Sequence, residues 1–135
     1  LLDRMAASSA ARIVNVTSKA AYTGEMSYSN FNLTDGRYSP SDAYARSKMA
    51  NILFTRELAF RLATANAGKY RRIHAYCLHP GIIDTQLSRH FPAALKALLA
   101  TIHWLTLLDS DTGVQTSLYC ALDSRPEHES GEYYE

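Results

Sequence analysis

Two short apolar segments, Arg12-Ile13-Val14-Asn15-Val16-Thr17 and Ile73-His74-Ala75-Tyr76-Cys77-Leu78, constrain this 135-residue chain more than any other feature. Both read as short apolar strands, and the first, β-branched, shows little of the polar alternation of a strand with one wet face. Such a run reads as a strand covered on both faces, the situation of a parallel sheet. Parallel strands need a crossover of a dozen residues or more, usually a helix. The sequence supplies one. Ser39-Pro40-Ser41-Asp42 combines a cap residue, a proline and an early acid, a helix start by each criterion. The helix is expected to run to about Thr64, with Ala45, Met49, Ile52, Leu53 and Leu58 among its apolar positions and Asn66 and Gly68 closing it.

The flanking segments extend the pattern. Residues 1–7 read as the end of a helix, broken by Ser8-Ser9. Asp109-Ser110-Asp111 is expected to cap another helix over residues 112–122, and Gly131-Glu132-Tyr133-Tyr134 to begin a last strand. Strand, helix, strand, helix, strand is the rhythm of an α/β fold. Three strands make an incomplete version of it, and the first would present an unpaired apolar edge unless further chain lay beside it. Residues 19–39 form a long polar and aromatic loop punctuated by Gly24, Asn30, Asn32 and Gly36, and loops of that length in compact domains usually carry function.

Bulk properties exclude several classes. The formal charge of +1 provides no steering toward nucleic acid, and Lys69-Tyr70-Arg71-Arg72 reads as a solvated turn before a strand. Cys77 and Cys120 show no metal or redox spacing and read as small core residues, which points to a reducing, intracellular compartment. His79 and His103 read as structural, with no metal-ligand spacing. The Asn15-Val16-Thr17 acceptor pattern falls in an expected buried strand and is discounted. No signal peptide or bilayer-length apolar run is apparent. The first residue, Leu1, suggests a processed or partial chain.

Tyr44 and Lys48 lie four apart on the expected helix and share a face. A phenol with an unperturbed pKa of about 10 is a poor proton carrier at neutral pH, and a neighbouring ammonium favours its ionised form. Ser18 would stand at the carboxyl end of the first strand, where ligands bind in parallel α/β sheets. The spacing alone is common, and an exposed Tyr and Lys without a catalytic role would produce it as well.

The motifs occur together and in order. Arg12-Ile13-Val14-Asn15-Val16-Thr17-Ser18, Tyr44-Ala45-Arg46-Ser47-Lys48 and His79-Pro80-Gly81-Ile82-Ile83-Asp84-Thr85, with Ser47-Lys48-Met49-Ala50-Asn51-Ile52-Leu53-Phe54 and Gln115-Thr116-Ser117-Leu118-Tyr119-Cys120-Ala121-Leu122, resemble the short-chain dehydrogenase/reductase family. The retinol-dehydrogenase-like branch is the closer match. The resemblance implies a partial Rossmann-type, doubly wound parallel sheet whose N-terminal strands are missing. On this basis residues 1–135 are expected to form the C-terminal catalytic half of a single NAD(P)-binding domain. It implies that Ser18 orients the substrate oxygen, that Tyr44 passes the proton, and that Lys48 assists Tyr44 and holds the nicotinamide ribose hydroxyls. Pro80 and Gly81 would let the backbone pass the nicotinamide, with Ile83 and Thr85 contacting its carboxamide. Asn15 would tie strands together.

The expected activity is hydride transfer between NADP(H), or NAD(H), and a lipophilic alcohol or carbonyl such as a retinoid or steroid. The glycine-rich phosphate loop, G-x-G-x-x-G, has no counterpart in this sequence. A truncated, inactive piece acting at most in protein interaction is therefore the alternative. Homodimerisation through the long helix, with Ala45, Met49, Ile52 and Leu53 as its surface, is a further implied property. Residues 93–108 would be a substrate lid or a patch resting on membrane, or else a core-packed helix, and the location cytoplasmic or associated with the endoplasmic reticulum.

Overall fold

The computed structural model describes residues 1–36, 38–81 and 114–135. In chain order the elements are α1 (Leu2–Ala6), β1 (Ala11–Val16), α2 (Pro40–Thr64), β2 (Ile73–Leu78), α3 (Gln115–Leu122) and β3 (Tyr133–Tyr134), with short 3-10 turns at Lys19–Thr23, Asn66–Gly68 and Arg125–His128. The three strands form one sheet in the order β1-β2-β3. Both pairings are parallel, with Ala11 opposite Ile73, Val16 opposite Leu78 and Cys77 opposite Tyr133.

Alternation along β1 and β2 explains the two-sided architecture. Ala11, Ile73 and Ala75 point to one face and pack with Ala59 and Leu62 of α2, with Ile13, Leu2 and Met5 against them. Tyr76 and Leu78 point to the other face and pack with Cys120 of α3, joined by Val14 and Tyr119. Helices thus cover both faces, and the sheet is doubly wound. Apolar residues on both sides of β2 follow directly, and Ala75, Tyr76, Cys77 and Leu78 are all buried.

The helix ends are set by local chemistry. Ser39 Oγ accepts the Asp42 amide at 3.3 Å and Pro40 occupies the first turn, an arrangement that satisfies one orphan donor and fixes φ. After Thr64 the chain leaves the helix at Ala65, and Ala67 takes a left-handed φ of 51°. On the other face, Arg12 of β1 donates to the carbonyls of Cys120, at 3.2 Å, and Asp123. A guanidinium there satisfies the free carbonyls at the C-terminal end of α3.

Several expectations are adjusted. The last helix is described from Gln115, and its first neighbour Val114 makes no side-chain cap; Asp109, Ser110 and Asp111 lie outside the described residues, as do Ile83, Thr85, His103 and residues 93–108. Ala45 is not a surface residue. It is buried, and the loop closes over it so tightly at Gly24 that a Cβ there would stand 2.5 Å from the Ala45 carbonyl oxygen. Leu53 and Phe54 are the exposed apolar residues of that stretch. Asn15 reaches from the sheet to the helix, donating to Thr55 Oγ1 at 2.9 Å, rather than to a neighbouring strand.

Candidate active site

The carboxyl ends of β1 and β2 carry the residues singled out by sequence. Ser18 follows β1, Pro80 and Gly81 follow β2, and Tyr44 and Lys48 stand on the first turns of α2 beside them. Ile83 and Thr85 are outside the described residues.

Side-chain bonds stitch the end of β1, and Thr17 after it, to α2. Asn15 Nδ2 donates to Thr55 Oγ1 at 2.9 Å, Asn51 Nδ2 donates to the Val16 carbonyl at 3.2 Å, and Thr17 Oγ1 donates to the Lys48 carbonyl at 2.6 Å. Successive strand residues thus meet helix residues in steps of four and three, the spacing of one helical face. Strand and helix run antiparallel. Ser18 comes one residue after Thr17, at the start of the next turn, and Tyr44 stands four residues before Lys48 in α2.

The loop reinforces the approach. Ser18 Oγ accepts the Ala20 amide at 3.2 Å and starts the Lys19–Thr23 turn, whose Ala21 is fully buried. Gly24 closes that turn against the Ala45 carbonyl, an approach that only a residue without a Cβ permits. The loop is held further by Arg46, whose guanidinium donates to the Asn30 carbonyl at 2.9 Å. A recess of about 240 Å³ lies between this loop and the flank of α2, lined by Met26, Phe31, Leu33, Tyr38, Ala43 and Ala50 among others; Ser18, Tyr44 and Lys48 do not line it.

Tyr44 is 37% exposed, and the Lys48 ammonium lies 5.5 Å from the centroid of its ring, within cation–π range. The same ammonium makes a long contact of 3.5 Å with the Val16 carbonyl. A phenol and a hydroxyl at one strand end, with a cation beside the phenol, can bind an oxygen of substrate, exchange a proton with it and stabilise developing negative charge. Gly81 takes a φ of 85° immediately after Pro80, turning the chain away from the end of β2 through a conformation that favours glycine.

Beside this group stands a second polar set at the ends of all three strands. Lys19 Nζ pairs with Glu135 at 2.8 Å and Tyr22 donates to Glu135 at 3.1 Å. Burial lowers the His79 imidazole below its ordinary range, with the Lys19 charge adding to the effect and Glu135 opposing it. Burial likewise pushes the Tyr133 phenol up to about 12. Among the described residues no group of His, Cys, Asp and Glu could hold a metal, and no helix is long and apolar enough to cross a membrane.

The sequence assigns no role of their own to Thr17, Asn51 and Thr55, and reads Gly24 as a turn former alone. The available signal was positional: Asn51 and Thr55 follow Lys48 at helical spacing, and Thr17 directly precedes Ser18.

Comparison with known proteins addresses the whole arrangement. Human retinol dehydrogenase 12 and retinol dehydrogenase 14 are each 39% identical to this chain, matching 99% of it and 40% and 38% of their own lengths. A Bos taurus protein, dehydrogenase/reductase SDR family member 13, is 38% identical over 99% of this chain and 34% of its own length. The chain therefore spans between 34% and 40% of the length of these relatives. Among solved structures, an uncharacterized protein from Mycobacterium paratuberculosis aligns with a TM-score of 0.62 and 30% identity over 92% of this chain and 37% of its own. An NADPH-bound carbonyl reductase from chicken fatty liver aligns with a TM-score of 0.56 at 20% identity, over 98% of this chain and 44% of its own, a likeness of fold. The family model for short chain dehydrogenase matches residues 1–96, which hold β1, α2, β2 and every residue of the ladder, and on that match the chain belongs to the short-chain dehydrogenase family.

Proposed function

We propose that this chain is the catalytic half of an oxidoreductase that moves a hydride between a nicotinamide cofactor, NADP(H) or NAD(H), and a lipophilic alcohol or carbonyl compound. The observation that carries the reading is the Tyr44–Lys48 pair on α2, a helix tied to the end of β1 by the contacts of residues 15, 16 and 17, directly before Ser18. The likeness to retinol dehydrogenases supports a retinoid or a chemically similar substrate such as a steroid.

The residues present fit one end of such a cofactor. Among the described residues Lys48 holds a 3.5 Å contact to a carbonyl beyond its place over Tyr44, and its ammonium can donate to ribose hydroxyls. The turn at Pro80 and Gly81 brings half-buried backbone to the end of β2, and Ile83 and Thr85 would contact the carboxamide. The bound cofactor supplies the hydride chemistry. This chain's part is to hold the substrate oxygen at Ser18 Oγ and to give or take its proton at the Tyr44 hydroxyl. The nearby Lys48 charge stabilises negative charge developing on that oxygen. NADP is the preferred form on this reading, in keeping with the NADPH-bound neighbour of similar fold.

A second reading has the 135-residue chain bind no cofactor by itself and act at most as an interaction piece. It rests on the missing glycine-rich loop and on the open edge of β1, which pairs with β2 alone among the described strands. Exposed Leu53, Phe54 and Phe60 on α2 support association of two copies through that helix, and apolar residues 93–108 support contact with a membrane surface.

Calorimetric titration with NADPH and NADH separates the readings. Binding that weakens at least tenfold in Lys48→Ala supports the oxidoreductase. Undiminished binding in that variant contradicts the assignment of Lys48, and no binding of either cofactor favours the second reading.

A further inference from the structure

We propose that Thr17 is a positioning residue for the reaction centre, setting Ser18 against Tyr44 and Lys48; the inference rests on the assignment of those three residues as that centre. Thr17 is 3% exposed and is fixed in two directions at once. Its amide donates to the Leu78 carbonyl of β2 at 2.7 Å, and its hydroxyl donates to the Lys48 carbonyl of α2 at 2.6 Å. One residue therefore locks a neighbouring strand and the helix to the position directly before Ser18.

The Lys48 carbonyl lies inside α2, where a carbonyl already accepts the amide four residues on. The Thr17 bond is a second one on that oxygen, so the helix does not need it in order to form. What the bond does fix is the separation of β1 and α2 at the turn that carries Tyr44 and Lys48. Asn51, donating to Val16 one turn further along, and Asn15, donating to Thr55, hold the same interface at increasing distance from Ser18. Thr17 is the rung closest to the proposed chemistry. A displacement on the scale of 1 Å between reacting groups costs about a hundredfold in rate, so loss of this rung falls on turnover more than on folding.

Two substitutions isolate the hydroxyl. Thr17→Val keeps volume and β-branching and removes the donor, whereas Thr17→Ser keeps the donor and removes a methyl group. Circular dichroism is expected to show both folded. In the 135-residue chain, the Lys48 carbonyl carbon resonance moves in Thr17→Val, the Ser18 and Tyr44 amide resonances move with it, and all three stay near the parent positions in Thr17→Ser. In a coupled assay with NADPH and a lipophilic aldehyde, Thr17→Val lowers kcat by roughly tenfold to a hundredfold with KM little changed, and Thr17→Ser restores it.

Equal damage in the two variants would assign the effect to packing and overturn the proposal. So would a raised KM with intact kcat, or shifts confined to residues 17 and 48. Should the unsubstituted chain turn nothing over, the assay bears on the oxidoreductase reading. The resonances alone then decide whether Thr17 sets Ser18 against Tyr44.

Discussion

The ammonium nitrogen of Lys48 lies 5.5 Å from the centroid of the Tyr44 ring, one helical turn along α2. The four-residue spacing brings the two side chains to one face. The contacts of residues 15 to 17 then hold α2 against the end of β1, with Tyr44 left partly open to solvent. Local periodicity and tertiary packing each supply half of the site.

Gly24→Ala tests the packing half. A Cβ there would meet the Ala45 carbonyl oxygen at 2.5 Å, a backbone contact that cannot be relieved by a side-chain rotation. Overpacking of this kind costs about 1–3 kcal/mol. We expect thermal unfolding at lower temperature and, because Ala21 and Ser18 belong to the same turn, broadened amide resonances from Ser18 to Thr23. An unchanged melt would show that the loop does not close on α2 as described.

Thr55→Val tests the far rung of the ladder. Thr55 is fully buried, donates to the Asn51 carbonyl at 2.7 Å and accepts from Asn15 at 2.9 Å. Valine preserves the volume and leaves the Asn15 amide without its acceptor, at a cost of about 1–3 kcal/mol. Urea titration of the variant should give a lower midpoint with an unchanged slope. A loss below a few tenths of a kcal/mol would mean that water replaces the contact.

Much of this frame is legible in the sequence. The helix start at Ser39 and Pro40 and the strand over residues 73–78 follow from capping, proline geometry and β-branched runs, which act locally. The β1–α2 contacts are different. Asn15 is expected as a tie between strands, and Thr17, Asn51 and Thr55 carry no expected role; the packed register shows Asn15, Thr17 and Asn51 bonding between the end of β1 and α2 instead. Ala45 misled for the opposite reason: it reads as an apolar surface position until Gly24, 21 residues away, is seen to cover it. Ser18, Tyr44 and Lys48 were legible because their residue types suit one chemistry, and their order along the chain matches a known pattern.

His79 gives stability a pH dependence of defined sign. Burial holds its folded-state affinity for protons below that of the unfolded chain, so the unfolded state binds more protons below the ordinary value of 6.5. Its contribution is present above that value and is lost as pH falls through it. The melting temperature should decline below about pH 6.5, and His79→Gln should flatten that portion of the profile. The Lys19 charge adds to the lowering and Glu135 opposes it, so the decline should persist in Lys19→Met with a smaller amplitude. A profile equally steep in His79→Gln would place the titrating group elsewhere.

The two thiols are expected to be inert in the folded chain. Cys77 and Cys120 are free and buried, and burial pushes Cys120 up to about 11 and Cys77 in the same direction. The thiolate is the reactive species, so a colourimetric thiol reagent at pH 8 should label neither cysteine rapidly in native buffer and both in denaturant. Rapid native labelling of Cys120 would contradict the packing of α3 on the sheet.

The assignment of Tyr44 as the proton carrier is the centre of the account, and Tyr44→Phe tests it most directly. Phenylalanine keeps the ring beside Lys48 and removes only the hydroxyl. With NADPH and a lipophilic aldehyde, turnover should fall by roughly a hundredfold to ten-thousandfold, while cofactor affinity measured by calorimetry on the same sample stays within about twofold of the parent. Turnover retained in Tyr44→Phe would contradict the account and leave the Tyr44–Lys48 pair as a feature of the helix surface.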